Sequence, residues 1–344
     1  MNHKKVVFVL NSTSGGGAEV SAMTTYRQLK SLGYDIQVIA INQNEFMLGE
    51  KSELTIELGR HWRSGFRETL MAYFRFRKIM KEMKPRAVVA HCELPELFCA
   101  FLPTFPTRLY AVEHTSNPWA GRKTMGRFIR GILKYRKIEW LTVDRAQNEI
   151  WFGDAKPTYI PNPTSKNQIF ERQDISQRIA FVGRLSEEKR TDWAINAAIK
   201  SSLAIGVIGD GQCKTSLMEK YFDHKDLVFF YGFMDNPWSR LSTDTLIVMP
   251  SKYEGDGLVA VEAIINGFPI ILADNEDLRR FELPEENYFS SENELVELIN
   301  RVKDQGVDSF RIPLATITKI QKERDIEANA IKWVQVLNLE ETHV

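Results

Sequence analysis

The sequence predicts an α/β protein of two domains, each built on its own parallel sheet. Three observations carry that prediction. Short runs of Val, Ile, Leu, Phe and Ala alternate with stretches of helical spacing, in two series separated by the polar stretch PTSKNQIFERQD (Pro163 to Asp174). The runs are apolar throughout rather than at every second residue, which marks strands covered on both faces, and the helices between them supply the crossovers that parallel strands require. At 344 residues the chain also exceeds the size at which a single hydrophobic core usually stops growing.

The first series opens with VVFVL (Val6 to Leu10), which runs into SGGGAE and a helical pattern reaching Leu32. DIQVIAI (Asp35 to Ile41), AVVAH (Ala87 to His91), RLYAVEH (Arg108 to His114) and WLTVD (Trp140 to Asp144) follow, with helical stretches between, and then a further helix and TYIPNP. The second series comprises RIAFVG (Arg178 to Gly183), LAIGVIG (Leu203 to Gly209), LVFFYG (Leu227 to Gly232), TLIVMPS (Thr245 to Ser251) and FPIILAD (Phe268 to Asp274). A last helical pattern covers Ile317 to Leu337. The expected division is therefore a first domain over 1–168, a second over 169–325, and a helix within 326–344 that packs back across the first. Open parallel sheets bind ligands at the carboxyl ends of their strands. Two such sheets are expected to present those ends to either side of a cleft.

Composition narrows the class. Hydrophobic residues make up 43% and charged residues 26%, as in ordinary soluble globular proteins. The zero net charge hides an asymmetry: residues 1–170 hold 25 Lys and Arg against 15 Asp and Glu, and the remainder 20 against 30. Three cysteines, Cys92, Cys99 and Cys213, are too few and too irregularly spaced for a disulfide framework or a zinc site, which points to a reducing cytoplasm. The start, MNHKKVVFVLNSTSGGG, fits a buried strand better than a signal peptide, and no apolar run reaches spanning length.

The stretch YEGDGLVAVEAIINGFPIILAD (Tyr253 to Asp274) holds two glutamates in apolar company. Glu254 falls in the loop after the strand TLIVMPS, and Glu262 about one turn into the helix that closes at Gly267 with Pro269 beyond. One ligand could touch both. The N–H groups of Gly257, Leu258 and Val259 at the helix start can bind an anion such as a diphosphate. The alternative is that Glu262 is a half-exposed helix residue and Glu254 a loop carboxylate favouring the helix start. Elsewhere, GRLSEEK places Arg184 just beyond a strand and Lys189 near the next helix, either as fixed cations or as surface partners of Glu187 and Glu188. Gly15, Gly16 and Gly17 follow the first strand without the G-x-G-x-x-G spacing, which disfavours a dinucleotide enzyme. His114 ends a strand on the ligand side, where it is either a structural residue or part of a site.

Two basic segments lie in the first domain. Arg60 to Arg86 mixes cations with Phe, Trp, Leu and Met at helical spacing, and GRKTMGRFIRGILKYRK (Gly121 to Lys137) carries seven cations and no acid. Such segments either form a solvated helix face or bind an anionic lipid surface. No recognised nucleic-acid-binding motif accompanies the charge, and no nucleic-acid partner is expected.

Taken together, the E-x7-E spacing of Glu254 and Glu262 with EGDGL and NGFPI, the GGGAE loop (Gly15 to Glu19), FVGRLSEEKRTDWAINA, VIGDG (Val207 to Gly211) and FFYGF (Phe229 to Phe233) resemble the retaining glycosyltransferases of family 4. The likeness extends over nearly the whole chain. It implies the GT-B fold, two facing Rossmann-like domains, with the donor on the second and the acceptor on the first. It implies that Glu254 holds the transferred sugar and Glu262 the donor ribose, since paired hydroxyls suit the two oxygens of a carboxylate. Arg184 and Lys189 resemble a diphosphate clamp that stabilises the departing charge without a metal, and no D-x-D step stands near a strand end. Gly16 and Gly17 fall beside the donor phosphates and the acceptor, Phe233 falls at the donor, and His114 faces the donor sugar as a second candidate, after Glu254, for the catalytic centre. Asp256 departs from the pattern, where the family commonly has an aromatic residue.

The resemblance implies a hexose or N-acetylhexosamine transferase with a UDP- or GDP-linked donor as substrate, no cofactor and no metal. Same-face attack is implied, with the leaving phosphate oxygen helping to take the acceptor proton. The expected setting is polysaccharide or lipopolysaccharide synthesis on a glycan or lipid-linked acceptor, peripheral on the cytoplasmic face of a bacterial inner membrane. A sugar-nucleotide binding or regulatory protein without transfer activity, or a sugar-nucleotide epimerase of the same fold, stands as the alternative.

Overall fold

The computed structural model describes residues 5–13, 16–43, 55–61, 64–103, 107–115, 118–143, 156–164, 174–234 and 236–339. The chain divides into two units, one formed by residues 1–163 together with 324–344 and the other by 164–323. The linker expected near residue 170 lies outside the described residues.

The first unit has a seven-stranded sheet, all of it parallel. Its strands are β1 (Val6–Leu10), β2 (Ile36–Asn42), β3 (Thr55–Arg60), β4 (Ala87–His91), β5 (Arg108–Glu113), β6 (Glu139–Thr142) and β7 (Thr158–Tyr159), in the spatial order β3-β2-β1-β4-β5-β6-β7. Side chains alternate across this sheet, so β1 divides its residues between two cores. Val7 and Val9 join the face covered by α2 (Phe66–Met83), α3 (Glu93–Ala100) and α4 (Lys123–Tyr135), through Phe76, Met80, Phe98, Ile129 and Leu133. Val6, Phe8 and Leu10 join the opposite face with Ala22, Tyr26 and Leu29 of α1 (Gly17–Ser31) and Ala330, Trp333 and Val334 of the closing helix.

The second unit repeats the plan. Strands β8 (Ile179–Val182), β9 (Ile205–Ile208), β10 (Val228–Gly232), β11 (Leu246–Met249), β12 (Ile270–Ala273) and β13 (Tyr288–Phe289) form a parallel sheet in the order β10-β9-β8-β11-β12-β13. Around one core run α5 (Thr191–Lys200), α6 (Lys214–Lys220), α7 (Leu258–Ile265), α8 (Glu276–Arg279), α9 (Glu292–Gln305) and α10 (Leu314–Glu323).

Two expectations change. The final helical pattern is not continuous: α10 stops at Glu323, and α11 (Ile326–Val336) starts afresh with Asp325 accepting from the Ala328 N–H at 2.8 Å. An aspartate in that N-cap position satisfies the donors at a helix start and so favours a break there. The edge strand β3 was not expected, because Thr55, Ile56, Glu57 and Leu58 lack a continuous apolar run.

The candidate site and its relatives

The loops at the carboxyl edge of the second sheet are laced together by backbone hydrogen bonds. Gly183 N–H donates to Ile208 O, Leu185 N–H to Asp210 O and Gly209 N–H to Gly232 O, at 2.8 to 3.0 Å. Gly209 makes this possible, because it has φ +147° and a Cβ there would lie 1.8 Å from the Gly183 carbonyl oxygen. Arg184 stands exposed at the head of this lacing, and Phe233 is exposed just beyond Gly232.

Lys189 occupies one turn of 3-10 helix, Glu187–Lys189, separated from α5 by Arg190 in the left-handed region. Its Nζ lies 2.5 Å from Glu254 Oε1, so Lys189 pairs with the motif carboxylate and not with its neighbours Glu187 and Glu188. Glu188 instead accepts from the Ser186 hydroxyl at 2.5 Å. Glu254 is buried, and its loop is braced by the segment after β12. The Glu254 N–H donates to Asp277 at 2.8 Å, Arg280 Nη2 to Gly255 O at 2.9 Å, and Asn275 Nδ2 to Ser251 O at 2.8 Å. Gly257 begins α7 at φ +62°, with the Phe281 ring 3.3 Å from where a Cβ would sit, and no side chain caps the helix.

Glu262 is half-buried on α7, where Oε2 accepts from the Trp238 indole N–H at 3.0 Å. Burial raises its pKa above the usual carboxylate value, and the Trp238 hydrogen bond works against that rise. Leu258 and Val259 are half-buried on the first turn, and Asp256 is buried beside it. Sequence reasoning missed Trp238, Asn275, Asp277 and Arg280. The signal was Asn275, Asp277 and Arg280 spaced along the single turn that follows FPIILAD.

In the first unit, Gly16 is extended and α1 starts at Gly17 without a side-chain cap, while Gly15 lies outside the described residues. His114 follows β5 and does not stand alone. Its Nε2 is 3.0 Å from Nδ1 of His91, the last residue of β4. Burial pushes His114 down to about 4, and burial with the neighbouring imidazole holds His91 well below the ordinary histidine value. Both rings are therefore neutral at pH 7.

Beside them lies a buried charge cluster. Arg130 of α4 is 5% exposed and holds Glu96 at 2.8 and 3.1 Å, and it also bonds Glu113. Glu96 accepts from the Trp119 indole at 2.9 Å. One guanidinium serves two carboxylates, and Glu113 is pushed up to about 7, by burial against the pull of Arg130. The basic run 121–137 is thus not one exposed face. Arg130 is buried, and Arg136 bonds the carbonyls of Cys99, Ala100 and Leu102 at the end of α3. Arg122, Lys123, Arg127, Lys134 and Lys137 remain exposed, with Met125 and Phe128 among them.

Residues 164–314 match the model of the family Glycosyl transferases group 1. The second unit is a group 1 glycosyltransferase domain. The chain is 23% identical over 281 residues to an uncharacterized glycosyltransferase of Haemophilus influenzae, covering 77% of this chain and 78% of that one. It is 28% identical over 154 residues to the O-antigen biosynthesis glycosyltransferase WclY of Escherichia coli, covering 38% of this chain and 44% of the relative. In fold, the chain superposes on sucrose-phosphate synthase of Thermosynechococcus elongatus with a TM-score of 0.78 at 17% identity, covering 99% of this chain and 100% of that one. HepE of Anabaena in complex with UDP and glucose gives 0.75 at 16% identity, covering 98% and 100%. These likenesses give it the GT-B class of fold, with two Rossmann-like parallel-sheet units.

Proposed function

We propose that this chain is a retaining, metal-independent glycosyltransferase that moves a hexose or N-acetylhexosamine from a UDP- or GDP-linked donor to a glycan or lipid-linked acceptor in surface polysaccharide synthesis. The observation that carries the reading is the 2.5 Å contact of Lys189 Nζ with Glu254 Oε1 within a group 1 domain. It joins a cation suited to a diphosphate to a carboxylate suited to sugar hydroxyls. An ammonium has three donors, and Glu254 uses one, so two remain for phosphate oxygens. Arg184 adds a planar, permanently charged fork on the neighbouring loop. As the bond to the sugar breaks, charge grows on the diphosphate, and fixed cations favour that state over the ground state. Glu262 uses Oε2 on Trp238 and keeps its other oxygen for a ribose hydroxyl. The leaving phosphate oxygen then accepts the acceptor's proton on the same face of the sugar, which retains its configuration. His114, Gly16, Gly17 and Phe233 are assigned to the substrates on the same resemblance.

The acceptor side supports a lipid surface. Helix α2 exposes Phe66, Leu70, Met71 and Phe74 beside Arg67, Arg77, Lys78 and Lys81, and α4 exposes Phe128 beside its cations. Both helices cover the same face of the first sheet. Apolar side chains among cations fit the boundary of an anionic bilayer, and among the described residues no helix is long and apolar enough to cross one. We place the enzyme peripherally on the cytoplasmic face of the inner membrane.

The test is incubation with UDP-glucose, UDP-N-acetylglucosamine and GDP-mannose, with and without excess chelator, following donor hydrolysis and transfer and assigning the product anomer by NMR. Retention of the donor's anomeric configuration, undiminished by chelator, is expected. Inversion would overturn the retaining mechanism, and loss in chelator restored by Mg²⁺ the metal-independent one. Donor binding with no turnover, or an epimerised sugar nucleotide, would replace the reading.

A further inference from the structure

The carboxyl ends of β4 and β5 bring two histidines together for a reason visible in the register. His91 pairs with Val112, so His114, two residues further on, faces the same side of the sheet. The rings lie 5.3 Å apart at 30°, with Nδ1 of His91 3.0 Å from Nε2 of His114. A hydrogen bond between neutral imidazoles needs one N–H and one lone pair, and each ring has a single proton. If His91 donates from Nδ1, His114 must carry its proton on Nδ1. If His114 donates from Nε2, His91 must carry its proton on Nε2. The two rings therefore share one tautomer.

The outer atoms, His91 Nε2 and His114 Nδ1, are buried without a hydrogen-bond partner. One of them always bears a stranded N–H, which is the costlier of the two to leave unpaired. His91 is 2% exposed, its ring 5.1 Å from Phe8 and 6.1 Å from Trp333, whereas His114 is only half-buried. Both outer nitrogens are enclosed, but His91 is the more deeply packed, against the rings of Phe8 and Trp333, so a small local movement opens His114 Nδ1 to an incoming oxygen more readily than His91 Nε2, which favours Nδ1–H on both rings.

We propose that His91 is a positioning residue whose Nδ1–H holds His114 Nε2 and so fixes His114 as the Nδ1–H tautomer, a hydrogen-bond donor to a hydroxyl oxygen of a carbohydrate substrate. The consequence for turnover rests on the transferase reading above; the tautomer does not. The experiment is ¹⁵N-labelled protein with long-range ¹H–¹⁵N NMR of its six imidazoles, beside UDP-glucose turnover. Wild type shows Nδ1–H on both rings. His91→Asn, whose amide nitrogen can donate from the Nδ1 position, keeps Nδ1–H on His114, and His91→Leu releases a mixture. His91→Leu lowers kcat about 10²-fold with the donor KM unchanged, His91→Asn recovers most of that loss, and His91→Leu adds nothing in a His114→Ala background. Nε2–H on wild-type His114, an unchanged His114 tautomer in His91→Leu, or additive losses in the double variant would overturn the proposal. If His91→Leu does not fold, His91→Gln, whose amide reaches the Nε2 position and leaves His114 unheld, replaces it against His91→Asn. Wild type without turnover of UDP-glucose, UDP-N-acetylglucosamine or GDP-mannose would overturn the transferase reading, while the tautomer measurement still decides the positioning.

Discussion

Arg130→Met is expected to destabilise the first unit by about 3–5 kcal/mol at pH 8, the range for deleting one partner of a buried ion pair. Methionine fills the volume of the arginine stem, so the loss is electrostatic. Arg130, Glu96 and Glu113 are 5%, 1% and 7% exposed, and at an effective dielectric near 20 each attraction at about 4 Å amounts to about 4 kcal/mol. Mutual repulsion of the two carboxylates offsets part of that sum. Without the arginine, both carboxylates are left buried, with the Trp119 indole still on Glu96. The pH dependence follows. Glu113 already sits at about 7 with Arg130 present, well above the unfolded value near 4.5. In the variant its folded value moves higher still, so the folded chain binds more protons than the unfolded one across that window. Stability is retained at pH values below the unfolded value and lost as pH rises towards the folded one. Hydrogen exchange of the β4, β5 and β6 amides at pH 8 and pH 5.5 reads the first unit separately from the second. A cost below about 1 kcal/mol, or the same cost at both pH values, would refute the reasoning.

Three other outcomes are expected. Glu262→Ala weakens donor binding while Glu254→Gln lowers turnover, and steady-state kinetics showing equal losses in both parameters for both variants would count against the two roles. Gly209→Ala forces apart the loops that carry Arg184, because its Cβ would meet the Gly183 carbonyl at 1.8 Å; thermal unfolding of the second unit should fall by several degrees, and an unchanged midpoint would show that the loops yield without strain. Replacing Arg122, Lys123, Arg127 and Lys134 with Ser removes about 1 kcal/mol of lipid attraction each, so sedimentation with anionic vesicles at low salt should be lost; if wild type does not sediment, the membrane assignment falls.

Most strands were readable because parallel strands buried on both faces leave continuous runs such as VVFVL and TLIVMPS. The edge strand β3 was not, since an edge tolerates Glu57 and Arg60. Glu254 and Glu262 stood out as carboxylates in apolar company, yet their holders did not. Trp238 looks like any core aromatic, and the bond of Lys189 to Glu254 spans 65 positions, which no local pattern encodes. Arg130 was misread as a surface cation although its position was legible: Gly126, Ile129, Arg130 and Leu133 form one stripe at helical spacing, and all are buried. Composition alone conveys charge, while periodicity conveys which way it faces. The histidine pair was equally available, as two histidines at the ends of two runs that form adjacent parallel strands, once the strand order is known.

The division of the chain has a consequence for its synthesis. The second unit is contiguous, but the first is interrupted by it and resumes at residue 324. Helix α11 supplies Ala330, Trp333 and Val334 to the core beneath β1, β4 and β5, and the chain around it accepts Tyr110 Oη at Val336 O and Arg86 Nη2 at Asn338 O. A ribosome delivers that helix only after the entire second unit has emerged. The second unit can therefore reach its native form while the unit begun first still waits with an uncovered apolar face. A nascent chain stalled before residue 326 would expose Phe8 and its neighbours to chaperones, and the order in which the halves mature would be the reverse of the order in which they are made.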